Sequence, residues 1–334
     1  MFVFTLIFGF LFGLILQYAS LNKYNTISGM ATLDDLTVAK AIAVAIGLGA
    51  ILLNVEISLG LASYHVKPLI LGGIIIGGFL FGAGMAILGY CPGTLAISLG
   101  EGSIDALFGI LGGLLGGVVF TLLLPSINGI LGPDLGRISL RSLISSRILF
   151  FILLSIAGLV FIFAAFWLHG FEKQKNYRWL IAGILLAALN TIVFSHFGSD
   201  RPIGASTTYP FTADVLTGIT QNDYFATIQK PGHWELIFLS GAFLAGLIGS
   251  LATKSFKLKL VHENWEKYRG TSKIQRAFWA FIGGFILIFG ARMAGGCTSG
   301  HVISGGMQMA ISSLIFAIVV FGSLLLTGKI FYKR

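Results

Sequence analysis

The chain has 334 residues, of which 56% are apolar and only 10% charged, and it carries a formal net charge of +9. Soluble domains carry roughly 25% charged residues, so the composition excludes a soluble globular protein and points to a polytopic membrane protein. The positive excess follows the positive-inside rule rather than nucleic-acid binding, and the two cysteines, far apart in sequence, give neither a disulfide framework nor a Cys-x-x-Cys metal site.

Apolar runs predict helices near residues 2–19, 39–57, 68–88, 104–124, 147–169, 178–196, 236–252, 275–294 and 306–328, about nine spans by the length rule. The first run lacks a basic n-region and a small-x-small cleavage site, so it reads as a retained span. Connections 22–37, 89–103, 197–235 and 295–305 are rich in glycine, serine and threonine without dense charge. Such segments suit backbone that dips into the membrane inside protein. The paired glycines at Gly72-Gly73, Gly77-Gly78, Gly112-Gly113 and Gly116-Gly117 suit close helix contacts. They follow no strand, and no Walker motif is present, so no nucleotide site is expected.

The halves of the chain echo each other. Phe81-Gly82-Ala83-Gly84-Met85-Ala86 precedes Cys91, and Phe289-Gly290-Ala291-Arg292-Met293-Ala294 precedes Cys297. Leu33-Asp34-Asp35-Leu36-Thr37 resembles Ala213-Asp214-Val215-Leu216-Thr217. In each, an aspartate three residues before a threonine is expected to cap the next helix. The expected organisation is all-α: a first repeat over 1–146, a connecting span over 147–177 and a second repeat over 178–334. One odd span between the copies inverts the second, a transporter plan with the site near the midplane. Lys67, Arg137, Arg141, Arg147, Arg201 and Lys230 gather on one side. Lys23, Lys173, Lys175, Arg178, the lysines and arginines of 254–276, and Lys329, Lys333 and Arg334 gather on the other. The second side is expected to be cytoplasmic, with the N-terminus outside and the C-terminus inside.

Chemistry concentrates at the two cysteines. Pro92 is placed as the first residue of a helix, which puts Cys91 at its cap, with Gly93 and Thr94 in the first turn. Thr298, Ser299 and Gly300 after Cys297 likewise offer free backbone N–H groups. A helix start favours anions, and a thiol there can donate S–H to one. Arg292 costs about 2.5–3.5 kcal/mol in a bilayer, so it is expected to face a polar cavity and balance an anion. Arg201 is a second candidate for that role, and His301 is read either as a cap for a backbone group or as a pore residue. Glu56 and Glu101 lie near membrane boundaries and read as solvated or capping rather than as proton carriers. No metal or cofactor is expected.

At Gly89-Tyr90-Cys91-Pro92-Gly93-Thr94 and Gly296-Cys297-Thr298-Ser299-Gly300-His301, with Arg201-Pro202-Ile203-Gly204, the chain resembles the YeeE/YedE family of sulfur-transport membrane proteins over nearly its full length. The resemblance implies a bacterial inner-membrane permease for thiosulfate, shaped as an hourglass pinched by re-entrant loops. The ion would pass by brief S–H···S contacts with Cys91 and Cys297. It also implies a small soluble sulfur-carrier protein in the cytoplasm; Lys254–Arg276 reads first as a cytoplasmic loop obeying the positive-inside rule, and otherwise as a dock for that carrier. Some relatives have a further cysteine just after the first span. Asn22 stands there in this chain and is expected to bond an oxyanion on the side where the ion comes in. Other branches of the family are linked to selenium. Two other classes compete: a membrane-embedded thiol redox or sulfurtransferase enzyme, which needs the two cysteines within about 4.4–6.8 Å Cα–Cα, and a structural or sensory subunit.

Overall fold

The computed structural model describes residues 2–172, 176–220 and 222–333. Lys173, Lys175 and Arg334, which enter the charge asymmetry above, lie outside the described residues. The described chain is helical, with four isolated bridges and no strand. Its helices are α1 (Phe2–Tyr18), α2 (Tyr24–Ala31), α3 (Thr37–Ser58), α4 (Leu71–Leu88), α5 (Pro92–Gly100), α6 (Ile104–Leu131), α7 (Leu140–Leu143) and α8 (Arg147–Phe171). They continue with α9 (Arg178–Phe194), α10 (Thr208–Thr217), α11 (Asp223–Ala252), α12 (Glu263–Arg269) and α13 (Lys273–Met293). A π-helix, Thr298–Gly305, precedes α14 (Ile311–Phe331).

Among the described residues seven segments are long and apolar enough to cross a membrane: Thr37–Ser58, Leu71–Gly100, Ile104–Leu131, Arg147–Phe171, Asp223–Ala252, Lys273–Met293 and Ile311–Phe331. α1 and α9 are apolar too but have only 17 residues each. The outward faces carry large apolar side chains, among them Ile148, Phe163 and Ile318, which a lipid surround would cover.

α4 and α13 lie against each other at the centre, α6 packs on α13 and α14 on α4. To the side, α1 packs on α11 and α3 on α9, while α8 rests mainly on α3. Small residues set these approaches. A Cβ on Gly112 of α6 would stand 1.9 Å from the Phe281 carbonyl oxygen, and one on Gly284 of α13 would stand 2.0 Å from the Gly109 oxygen. The paired glycines thus serve helix contact.

α11 begins at Asp223, thirteen residues before the apolar run at 236 that marks it in the sequence. Its first half is polar in sequence yet packs inward: Phe225 and Ile228 are buried with Phe211, and Glu235 is buried for a capping purpose described below. The expected aspartate caps differ as well. Asp35, not Asp34, accepts the Thr37 N–H, at 2.9 Å. Asp214 lies inside α10 and bonds the N–H and hydroxyl of Thr220, each at 2.5 Å, closing the turn after α10. Asn222 caps α11 instead, accepting from the Phe225 N–H at 3.0 Å.

The charged segment 254–276 is partly built into the bundle. Trp265 and Arg276 are fully buried. Arg276 bonds Asp105 at 2.5 Å and the Leu88 carbonyl at 2.7 Å, capping the end of α4.

Candidate functional site

α4 stops at Gly89, whose φ of +76° is the left-handed turn that closes a helix when a glycine is there to adopt it. The chain then extends through Cys91 and restarts at Pro92. Pro92 has no N–H to leave orphaned at this position. The Thr94 hydroxyl closes the turn on the Cys91 backbone, accepting its N–H at 2.9 Å and donating to its carbonyl at 3.0 Å. The second break follows the same logic. α13 ends at Met293, Gly295 turns left-handed at φ +73°, and Cys297 sits extended at the start of the π-helix. The Cys297 Sγ lies 3.2 Å from the Ser299 hydroxyl, and its carbonyl accepts the His301 N–H at 2.7 Å. Single turns of π-helix occur mostly at functional places, because the wider ladder frees backbone groups.

The two breaks meet. A cavity of about 50 Å³ has Cys91, Gly93 and Thr94 on one wall and Thr298 and Ser299 on the other. Cys297 itself does not line this cavity. The rest of the lining is apolar and includes Phe12, Leu16 and Leu21. Tyr209 of α10 is buried here, its hydroxyl donating to the Pro92 carbonyl at 3.0 Å and its ring within electrostatic range of both cysteines.

Arg292, Arg201 and His301 do not line that cavity. Arg292 Nε donates to the Tyr224 hydroxyl at 2.8 Å, and Nη1 donates to Ser206 and Thr207 at 3.2 and 2.9 Å. Both hydroxyls belong to the chain just before α10. Glu235 caps α10 from α11, accepting the Thr207 and Thr208 N–H groups at 2.6 and 3.2 Å. Arg201 reaches the same carboxylate at 3.5 Å, with its guanidinium 4.2 Å over the Trp234 ring. His301 is fully buried. Its Nδ1 pairs with Ser313 at 3.0 Å and its Nε2 with the Ala294 carbonyl at 2.8 Å, so it fastens the break and has no free ring nitrogen.

Asn22 is also fully buried, but at the far end of α5 from Cys91. Its amide donates to Glu101 at 2.8 Å and to Ser98 at 3.5 Å. Lys23 and, through the backbone, Lys257 and Lys259 gather at the same end. The Asn22 amide donors are thus already engaged within the chain. Glu101 is likewise buried rather than solvated, because those donors and Lys23 compensate its charge.

Lys67 belongs to the site although its sequence signal was read only as topology. Lys67 is half-buried on the connection before α4, and its Nζ donates to the Gly295 carbonyl. A Cβ on Gly296 would stand 2.9 Å from Nζ, so only glycine next to Cys297 lets the ammonium in this close. Burial, then Arg292, pulls the Lys67 amine down to about 8, against the opposing pull of Cys297 and Glu235. Lys67, Arg201 and Arg292 therefore make a cationic flank on one side of Cys297, partly offset by Glu235. Tyr209 and Glu235 also escaped sequence reasoning, since each lies in the stretch 197–235, which has no long apolar run although it forms α10 and the start of α11.

Residues 24–326 match the protein family described as sulphur transport. The chain is similar to the thiosulfate transporter TsuA of Spirochaeta thermophila, at 28% identity over 335 aligned positions and 94% of each chain. The family match takes in both broken helices, their cysteines and Lys67, Arg201 and Glu235, and this chain belongs to the sulphur-transport family.

Proposed function

We propose that the chain is a multi-pass permease of the bacterial inner membrane that takes up thiosulfate or a closely related sulfur anion. The observation that carries the reading is the meeting of the two broken helices. Each presents a thiol at a helix start, and one small cavity is lined by Cys91 of the first and by Thr298 and Ser299, the residues that follow Cys297, of the second. Membership in a transport family and likeness to a thiosulfate transporter support the substrate class and weigh against a thiol enzyme.

The two halves are read as an inverted repeat of about nine crossings, with α1 and α9 as short spans beside the seven long ones. The neighbour pattern supports this. If α1, α3, α4 and α6 correspond to α9, α11, α13 and α14, the pairs α1–α11 and α3–α9 exchange, as do α6–α13 and α4–α14. α8 is the unpaired span. Lysines concentrated at the Lys23 end support a cytoplasmic assignment there, with the N-terminus outside. A soluble carrier docking at that end would meet Lys254, Lys257 and Lys273, the exposed part of the segment, since Trp265 and Arg276 are buried.

Lys67, backed by Arg201 and Arg292, draws the anion toward Cys297. The N–H groups of Thr298, Ser299 and Gly300 meet its oxygens, as helix starts do for anions. The soft terminal sulfur accepts S–H from Cys297 and then from Cys91. Sulfur donors bind weakly, and weak successive sites are what conduction requires. No bond to sulfur forms or breaks.

Uptake of labelled thiosulfate into proteoliposomes tests this. Cys91→Ala and Cys297→Ala are expected to abolish uptake, and the serine variants, which keep a donor, to retain part of it. Absent uptake by the wild-type chain, or full uptake by both alanine variants, refutes the reading. A persulfide accumulating on either cysteine during turnover would favour an enzyme.

A further inference from the structure

The cavity beneath Cys91 ends at the corner between α1 and α2. Leu16 and Leu21 line it from one side of that corner. Ala19 and Ser20, on the other side, line a second cavity of about 670 Å³. One corner of the chain therefore lines both spaces. Ser20 holds a φ of +59°, a left-handed conformation that a non-glycine residue keeps only when its surroundings impose it.

Glu101 imposes it. This carboxylate lies at the end of α5, 6% exposed, and accepts three donors from the corner. Gln17 Nε2 reaches Oε1 at 2.8 Å, while Asn22 Nδ2 and Lys23 Nζ reach Oε2 at 2.8 and 2.6 Å. Ser98, a turn nearer Cys91, donates to the Asn22 carbonyl at 2.6 Å. Asn22 gives up its own acceptor for this arrangement, since its Oδ1 is buried without a partner among the described residues. Two amides and an ammonium converging on one buried carboxylate form an anion site whose occupant belongs to the chain. Cys91, Thr94, Ser98 and Glu101 follow one another at helical spacing, so a single face of α5 runs from the thiol to this site.

We infer that Gln17, Asn22 and Lys23 form an oxyanion-binding site at the inner end of the route, that Glu101 occupies it as a tethered anion, and that the transported oxyanion takes these donors from Glu101 and frees the corner. The inference rests on the permease reading. A dianion with several oxygens competes well for donors that now share one carboxylate. The Lys23 side chain is 44% exposed, so its ammonium can follow the leaving ion.

The test uses the purified full chain. Thiosulfate affinity is measured by calorimetry in detergent, and thiosulfate counterflow in proteoliposomes. Glu101→Gln is expected to tighten binding about ten-fold, the scale of one charge-assisted hydrogen bond, and to speed counterflow. Lys23→Gln is expected to weaken both, with recovery in Lys23→Arg. A Glu101→Gln protein that folds, by size-exclusion profile and melting temperature, yet binds and exchanges as the wild type or worse overturns the inference. If that variant does not fold, the lysine pair decides: Lys23→Gln within about two-fold of wild type, less than half of one such bond, overturns it. Wild-type thiosulfate uptake, measured first, separates the failures: without it the permease reading falls and this inference with it, whereas uptake with an unresponsive latch removes only the latch.

Discussion

Lys67 carries a charge that ordinary pH can remove. With its amine near 8, the side chain is cationic at pH 7 and mostly neutral a unit above 8. The groups facing it are Arg292, Arg201, Glu235, His301 and Cys297. The two arginines stay charged throughout, so the attraction felt by an incoming anion drops with Lys67 alone among the cations. Thiosulfate uptake at sub-saturating concentration is therefore expected to fall as pH rises through about 8, and Lys67→Arg to flatten that fall, because guanidinium does not titrate there. Lys67→Gln is expected to cost about ten-fold in uptake at neutral pH, as for a lost hydrogen bond to a charged group. A descent that persists in the Lys67→Arg protein would detach the pH response from this residue.

Helix α5 depends on a small amount of chemistry at its start. Gly89 turns the chain, Pro92 fixes the first helical residue and Thr94 bonds the Cys91 backbone twice. Removing that hydroxyl in Thr94→Val is expected to cost about 1–2 kcal/mol, the scale of a helix cap, and to lower uptake by letting the thiol wander. Thr94→Ser should restore both melting temperature and uptake, and a valine variant with wild-type uptake would show that the thiol needs no such fixing. Much of this element was legible in the sequence, since Gly, Pro and Thr at these offsets each have a local backbone reason. The boundaries of α11 were not, because Asp223 to Glu235 is polar and its inward packing comes from Phe211 and from the N–H groups of α10. For the same reason Asp214 looked like a cap. Its threonine partner, Thr220, follows α10 in the chain and becomes visible only once α10 is folded. Arg292 was legible as costly to bury, but its hydroxyl partners, Ser206 and Thr207 before α10 and Tyr224 in α11, lie nearly seventy to ninety residues away, which periodicity does not reach.

At the scale of the molecule, apolar runs revealed the helices, whereas the way α1 meets α11 and α3 meets α9 depends on close contacts that no run discloses. The two ends differ physically. One gathers Lys23, Lys257 and Lys259 beside Glu101, with Tyr24 of α2 bonded to Tyr332 near the C-terminus at 2.9 Å. The other gathers Lys67, Arg141 and Arg147 around the connections before α4 and α8. If the first end faces the cytoplasm, a cysteine introduced at the exposed Lys257 is shielded from a membrane-impermeant maleimide in intact cells and reacts after lysis. A cysteine at the exposed Arg137 reacts in intact cells. The native Cys297 is buried and Cys91 lies at the inner cavity, so a Cys91→Ser, Cys297→Ser background removes their residual signal without touching either surface. The reverse labelling pattern would invert the molecule: Lys67 would then face the cytoplasm, the Glu101 corner would meet the ion first, and the same residues would describe export.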